Sequence, residues 1–176
     1  MRVILILFLA LQLYASGCQS QGATQSIYQT ENPEFKKTID SYLNFDIPIT
    51  TVDVLRNMKA PHIILDAREK KEYNVSHIPD ARYLGYKNAD YSVLDNVDKN
   101  DMIVVYCSIG YRSEKISQKL KKKGYKNVVN LYGSIFEWAN KGYPLLDNQG
   151  ELVTRVHGYN KKWSQWVDNE EIEVVY

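Results

Sequence analysis

The stretch VVYCSIGYRSEKI, residues 104–116, sets a cysteine directly after an apolar run and directly before a helical pattern. Ser108, Ile109, Gly110 and Tyr111 separate Cys107 from Arg112. A turn that wraps its backbone N–H groups around one point needs a residue free to take positive φ, and Gly110 supplies it. Those N–H groups, the N-terminus of the next helix and the Arg112 guanidinium would all favour negative charge on the Cys107 sulfur. The thiolate is the nucleophilic form, so these residue types at this spacing point to nucleophilic sulfur chemistry. A free cysteine can also be a small buried hydrophobe, but an inert one would have no use for the glycine and arginine together.

The chain of 176 residues holds only one other cysteine, Cys18. Its first residues, MRVILILFLALQLYASGCQS, carry one basic residue, an apolar run over positions 3–13, and then Ala15, Ser16 and Gly17. This is the pattern of a secretion signal, too short to span a bilayer comfortably as a mature helix. Its small-small-cysteine ending resembles a bacterial lipobox, although Ala15 stands where that pattern most often has leucine. The expectation is a signal peptide over residues 1–17, a lipidated Cys18, and a lipid-anchored polar tether over residues 18–31. Gln19 is not the aspartate that retains many such proteins in the inner membrane, so an outer-membrane anchor facing the periplasm is expected. Cys107 would then be a lone thiol in a compartment that favours paired cysteines, which again marks it as a candidate reactive group.

Composition bounds the remainder. A formal charge of +1 gives no reason to expect nucleic acid, and no second apolar segment is long enough to span a membrane. The length fits one domain, expected to be monomeric. The three histidines show no metal-ligand spacing, and neither metal nor organic cofactor is expected.

The elements that must position the loop follow from local patterns. NPEFKKTIDSYLNF offers Asn32 as a cap, Pro33 at the first helical position, and Phe35, Ile39, Tyr42 and Leu43 on one face. ITTVDVLRNMKA repeats the pattern, with Thr50 or Thr51 as cap and Val54, Leu55 and Met58 expected to face inward. HIILD, ARYLGY, DMIVVYC and VVNLY read as short strands, DMIVVYC most strongly because residues 102–106 are continuously apolar. REKKEYN, RSEKISQKLKKKGYKN and SIFEWANKG read as helices, the second with Ile116 and Leu120 inward and Gly124 at its end. Alternating strands and helices predict an α/β fold with a mainly parallel sheet, and Cys107 then lies at the carboxyl end of a central strand, where such sheets place ligand sites.

CSIGYRS, with ILDAREKKEYNVSHIPDARYL before it and GYKNVVNLYGSIFEWANKGYPL after it, resembles a rhodanese domain. The resemblance covers residues 49–145 in three ordered blocks and implies a three-layer α/β/α domain, between an N-terminal helical extension over residues 32–48 and a C-terminal extension over residues 146–176 packed on the domain. It implies a sulfurtransferase in which Cys107 takes a sulfur atom from thiosulfate or a persulfide donor, holds it as a persulfide and passes it to cyanide, a thiol or a protein cysteine. Ser108, Ile109, Gly110 and Tyr111 would form the anion-binding loop, and Arg112 would bind the donor's sulfonate as a fork. Asp66, Arg68 and Glu72 would be structural support.

Cysteine phosphatases place five residues between cysteine and arginine; the four here make that reading, or an arsenate reductase, the weaker one. A domain that binds an anion or a partner without turnover remains the other alternative. His77 is read as structural, and His157 is given no catalytic role. Asp80 and Ser134 stand where the family often has glycine; aspartate tolerates left-handed backbone and Ser134 could cap a helix. Tyr111 is expected to shape the entrance to Cys107, and the lysines at positions 121–123 to be a solvated helix end. In the tail, residues 145–156 read as two extended segments around a turn at 147–150, residues 160–167 as a short helix capped by Asn160, and residues 171–176 as a final strand.

Overall fold

The computed structural model describes residues 28–176. The expected signal segment, Cys18 and the expected tether up to residue 27 lie outside the described residues. A five-stranded, wholly parallel sheet runs in the order β1 (Ile49–Thr50), β5 (Asn127–Leu131), β4 (Met102–Tyr106), β2 (Ile63–Asp66), β3 (Ala81–Tyr83). Between the strands run α2 (Val52–Asn57), α3 (Lys70–Val75), a 3₁₀ turn over Tyr91–Leu94 and α4 (Tyr111–Lys122); α1 (Pro33–Tyr42) precedes the sheet and α5 (Ser134–Asn140) follows it.

Alternate residues of a strand face opposite sides, and β4 divides the core accordingly. Val104 and Tyr106 pack in one buried cluster with Phe35 and Ile39 of α1, Leu55 of α2, and Ile135 and Phe136 of α5. Ile103 and Val105 pack in the other with Ile116 and Leu120 of α4. Helices therefore cover both faces, the three-layer α/β/α arrangement expected from the sequence, and central β4 presents its carboxyl end between the layers.

The two early helices show how their phase is set. Asn32 caps α1, its side-chain oxygen accepting from the N–H groups of Glu34 (2.9 Å) and Phe35 (3.2 Å), with Pro33 following it. Phe35, Ile39 and Leu43 are buried, whereas Tyr42 is 39% exposed. Thr51 caps α2. Val52 and Leu55 fill its inner face, and Val54, expected inward, points outward. The reason is β1: Ile49 and Thr50 pair with β5, so α2 starts immediately beyond a fixed strand end, and that start fixes which side turns inward. Two strand residues carry no periodicity of their own, and the sequence pattern showed no strand there, offering Thr50 as an alternative cap.

Asp80 takes φ 63°, the left-handed backbone that aspartate tolerates. Ser134 corrects an expectation: it is the first residue of α5 at φ 51° and does not cap it; Gly133 does, at φ 70°. A Cβ on Gly133 would come within 2.5 Å of the Glu137 Cβ, so both the backbone and the space require glycine there.

The tail packs on this frame. β6 (Leu145–Leu146) and β7 (Leu152–Val153) form a hairpin, and β8 (Arg155–His157) pairs in parallel with β9 (Glu173–Val175) around α6 (Lys161–Ser164), capped by Asn160. The Ser76 hydroxyl donates to the Arg155 carbonyl at 2.6 Å, and Asn140 donates to the Trp166 carbonyl at 2.8 Å, joining the tail to the segment after α3 and to α5. Among the described residues no helix is long and apolar enough to cross a membrane.

One buried group makes stability pH-dependent. Burial pushes the Glu137 carboxyl up from an ordinary 4.5 to about 7, although it accepts the Glu31 N–H and lies near Lys141. The folded chain then holds a proton that the unfolded chain has lost, so this stabilisation is full below pH 4.5 and disappears as pH rises through about 7. Replacing Glu137 by glutamine should remove that slope. Urea unfolding of both proteins across this window should show the wild type losing about 3 kcal/mol relative to the variant.

Candidate active site

Cys107 follows β4 directly, and its loop closes on Gly110, which caps α4 at φ 120°. A Cβ there would make ordinary contacts with Leu43 and Asn130, so the backbone angle rather than space demands glycine. The loop is held from outside: the Ser134 hydroxyl accepts the Cys107 N–H at 3.1 Å, and the Ile135 and Phe136 N–H groups donate to the Cys107 and Ser108 carbonyls at 3.2 Å. The left-handed start of α5 thus serves the cysteine loop.

The Cys107 thiol is free and only 1% exposed. The Gly110 N–H points at its sulfur at 3.2 Å, and the Ser113 hydroxyl lies 3.6 Å away. That hydroxyl has one proton and two nearer acceptors, Asn130 Oδ1 at 2.6 Å and the Gly110 carbonyl at 3.0 Å. Asn130 Nδ2 donates to the same carbonyl at 3.0 Å, which fixes the orientation of the amide. Burial pushes the thiol pKa up, but the Arg112 charge and the N–H groups of Ser113 and Gly110 outweigh it and hold the thiol below its ordinary value.

Arg112 is itself engaged. Its Nη1 and Nη2 grip Glu72 Oε2 and Oε1 at 2.6 and 2.7 Å, and Nη2 also reaches the Ser108 hydroxyl at 2.9 Å. Tyr159 from the tail lies over the guanidinium, 5.0 Å from ring centre to Cζ. Burial pushes the Glu72 carboxyl up, yet Arg112 holds it below the usual carboxylate range. Glu72 is positioned by a capping box at the start of α3, where its Oε2 also accepts the Glu69 N–H at 3.0 Å. The fork expected to meet a donor's sulfonate therefore already holds a carboxylate of this chain.

Asp66 and Arg68 form a separate, fully buried pair. Arg68 donates through Nε and Nη2 to Asp66 and through Nη2 to the Ser76 carbonyl at 2.6 Å. Asp66 sits opposite Tyr106 in the β2–β4 register and accepts its hydroxyl at 2.6 Å, while that hydroxyl accepts the Ile78 N–H at 3.2 Å. The pair braces the residue immediately before Cys107.

A profile for the rhodanese-like domain matches residues 50–141. The chain belongs to the rhodanese-like domain family. It is similar to thiosulfate sulfurtransferase GlpE of Coxiella burnetii, 34% identical over 77 residues that make up 43% of this chain and 70% of that one. It is also similar to YrkF of Bacillus subtilis, a candidate sulfur carrier protein, at 33% identity over 78 residues; the match takes 44% of this chain and spans only 42% of the relative. In fold it is similar to a rhodanese-like domain from Anabaena, with a TM-score of 0.53 at 23% identity over 57% of this chain and 79% of that one.

Around the rhodanese loop the structure gathers Cys107, Ser108, Ile109, Gly110, Tyr111, Arg112 and Glu72, with Asp66 and Arg68 one step behind. Tyr111 is 41% exposed and lines the cavity that opens to Cys107. His77 stacks on Tyr73 with ring centres 4.0 Å apart and bridges to Leu146, in keeping with a structural reading. Ser113, Asn130 and the Ser134 hydroxyl were missed. Only Ser113 had a local signal, being a hydroxyl residue in the first turn of the helix that starts at Gly110. Tyr42, Tyr159 and Trp163, which also line the cavity, come from segments far away in sequence.

Two measurements test this reading of the site. Asp66→Ala strands a buried arginine charge and should cost about 3–5 kcal/mol in urea unfolding. Ultraviolet thiolate absorbance, taken as the difference from Cys107→Ser, should titrate below an ordinary thiol, and Arg112→Gln should move the midpoint up.

Proposed function

We propose that this chain is a sulfurtransferase that carries sulfane sulfur as a persulfide on Cys107. The carrying observation is the free Cys107 thiol itself, held toward its anionic form by Arg112, Ser113 and Gly110 at the carboxyl end of the central strand. The Cys107 thiolate attacks the outer sulfur of thiosulfate; a new S–S bond forms, the donor's S–S bond breaks, and sulfite leaves with the bonding pair. An acceptor, cyanide or a thiolate, then attacks the outer sulfur of the persulfide and Cys107 leaves as a thiolate. No external oxidant or reductant is consumed in this cycle. Ser108, Ile109, Gly110 and Tyr111 supply the loop backbone, and Arg112 holds the charge beside the sulfur.

The same proposal covers location. The segment 1–17 acts as a lipoprotein signal, Cys18 carries the lipid, and the domain faces the periplasm from the outer membrane, with a sulfur-containing anion and thiols as its partners. Neither nucleic acid nor a cofactor is invoked.

Intact mass of the full chain, before and after thiosulfate, tests the first half-reaction. The wild type should gain the mass of one sulfur atom and lose it again with cyanide, while Cys107→Ser should gain none. No adduct from thiosulfate or from a persulfide donor, on a thiol confirmed to be reduced, would defeat the proposal and favour a binding domain without turnover.

A further inference from the structure

Cys107 lines a cavity of about 390 Å³ whose other walls include five aromatic rings: Tyr42, Tyr86, Tyr111, Tyr159 and Trp163. That volume falls in the range of small-molecule pockets, roughly 300–1,000 Å³. Thiosulfate has five heavy atoms and, at about 30 Å³ each as in liquid water, would fill ~150 Å³. Cyanide would fill less. The cavity is therefore more than twice the size that a small sulfur anion needs.

Its chemistry is also wrong for an anion alone. Arg112 has both terminal nitrogens on Glu72 and its face under Tyr159. Lys87 and Glu69, the other charged side chains of the lining, are opposite in sign. What the lining presents is flat apolar surface, with Tyr42 edge-on to Trp163 at 5.0 Å and to Tyr111 at 6.3 Å. Tyr42, Tyr111 and Tyr159 remain 39%, 41% and 46% exposed, an aromatic rim around one opening.

Tyr159 adds an independent observation. It holds φ 63°, a conformation unfavourable for a bulky side chain, and it is kept there by its N–H, which donates to Nδ1 of buried His157 at 3.0 Å. That backbone conformation sets an aromatic ring over the loop arginine at the mouth of the cavity.

We propose that this cavity is the subsite for the body of an organic thiol acceptor bearing an aromatic or comparably flat apolar group. This inference rests on the sulfur-transfer reading. In the step it describes, the acceptor's thiolate attacks the outer sulfur of the Cys107 persulfide while its ring lies among Tyr42, Tyr111, Tyr159 and Trp163. The persulfide S–S bond breaks, Cys107 keeps the pair as a thiolate, and the acceptor departs as a persulfide.

The test discharges the preloaded full chain with 2-phenylethanethiol or with ethanethiol, which lacks only the ring, and follows loss of one sulfur by intact mass. The ring-bearing thiol should react on the order of tenfold faster per mole and should saturate. Tyr159→Asn relieves the left-handed strain while removing the ring, and Trp163→Leu removes the other tail ring; each should lower the ratio of the two rates toward one, with folding checked by melting. Equal rates in the wild type, or an unchanged ratio in both folded variants, would overturn the inference and leave persulfide chemistry standing. Failure to load Cys107 from any donor would overturn both together.

Discussion

A buried thiol drawn toward its anionic form is the constraint on which the rest of this structure turns. Cys107 is almost fully buried, and burial by itself raises a thiol's pKa and leaves the sulfur protonated. The compensation is a chain of partners. Arg112 supplies the positive charge, but a desolvated guanidinium in turn needs an anion, which Glu72 supplies through two hydrogen bonds. Glu72 is desolvated as well, and it is held by Arg112, by the Glu69 N–H and by the Ser108 hydroxyl. Each group is acceptable only because the next is present, and the series ends on backbone N–H groups that cannot move without unwinding α3 or α4. A buried charge stripped of its partner costs several kcal/mol, so the loop has little freedom to sample other arrangements.

The sheet makes that chain of partners possible. β4 is flanked by parallel strands on both sides, so its carboxyl end is fixed to the register of β2 and β5. At that level three side chains converge across the strands: Asp66 from β2 ties Tyr106 from β4, and Asn130 from β5 ties the Gly110 carbonyl and Ser113. Arg68 extends the first tie to the Ser76 carbonyl, and Ser76 extends it to the tail. The cysteine loop is thus anchored to both neighbouring strands.

Much of this was legible locally. The apolar run before Cys107, the glycine in its loop and the arginine after it carry their meaning within a few residues, because strand burial, positive φ and helix-end charge are local requirements. Asn32 and Thr51 announced their helices for the same reason. The misses share a different cause. Val54 was assigned inward because a six-residue helix offers fewer than two turns of pattern, and its phase came from pairing of β1 with β5. Ser134 looked like a cap; its hydroxyl instead meets the N–H of a residue 27 positions earlier. Glu72 was read as support, but that it saturates the Arg112 fork across 40 positions follows from the pairing of β2 with β4, which brings the starts of α3 and α4 to the same edge of the sheet.

The same distinction separates the surroundings of the sulfur from the walls of the cavity that leads to it. The residues that surround the sulfur lie within positions 50–141, the part of the chain that matches the family profile. Tyr42, Tyr159 and Trp163 lie outside it, and they supply three of the five rings around the cavity. The tail reaches the site by way of β8, whose His157 fixes Tyr159, and α1 reaches it through the Tyr42 contact with Trp163. These two extensions meet beside the rhodanese loop, so a change in either reshapes the opening to Cys107 without touching the groups that hold its sulfur. The loop fixes the surroundings of the sulfur, while the extensions shape the opening through which Cys107 is reached.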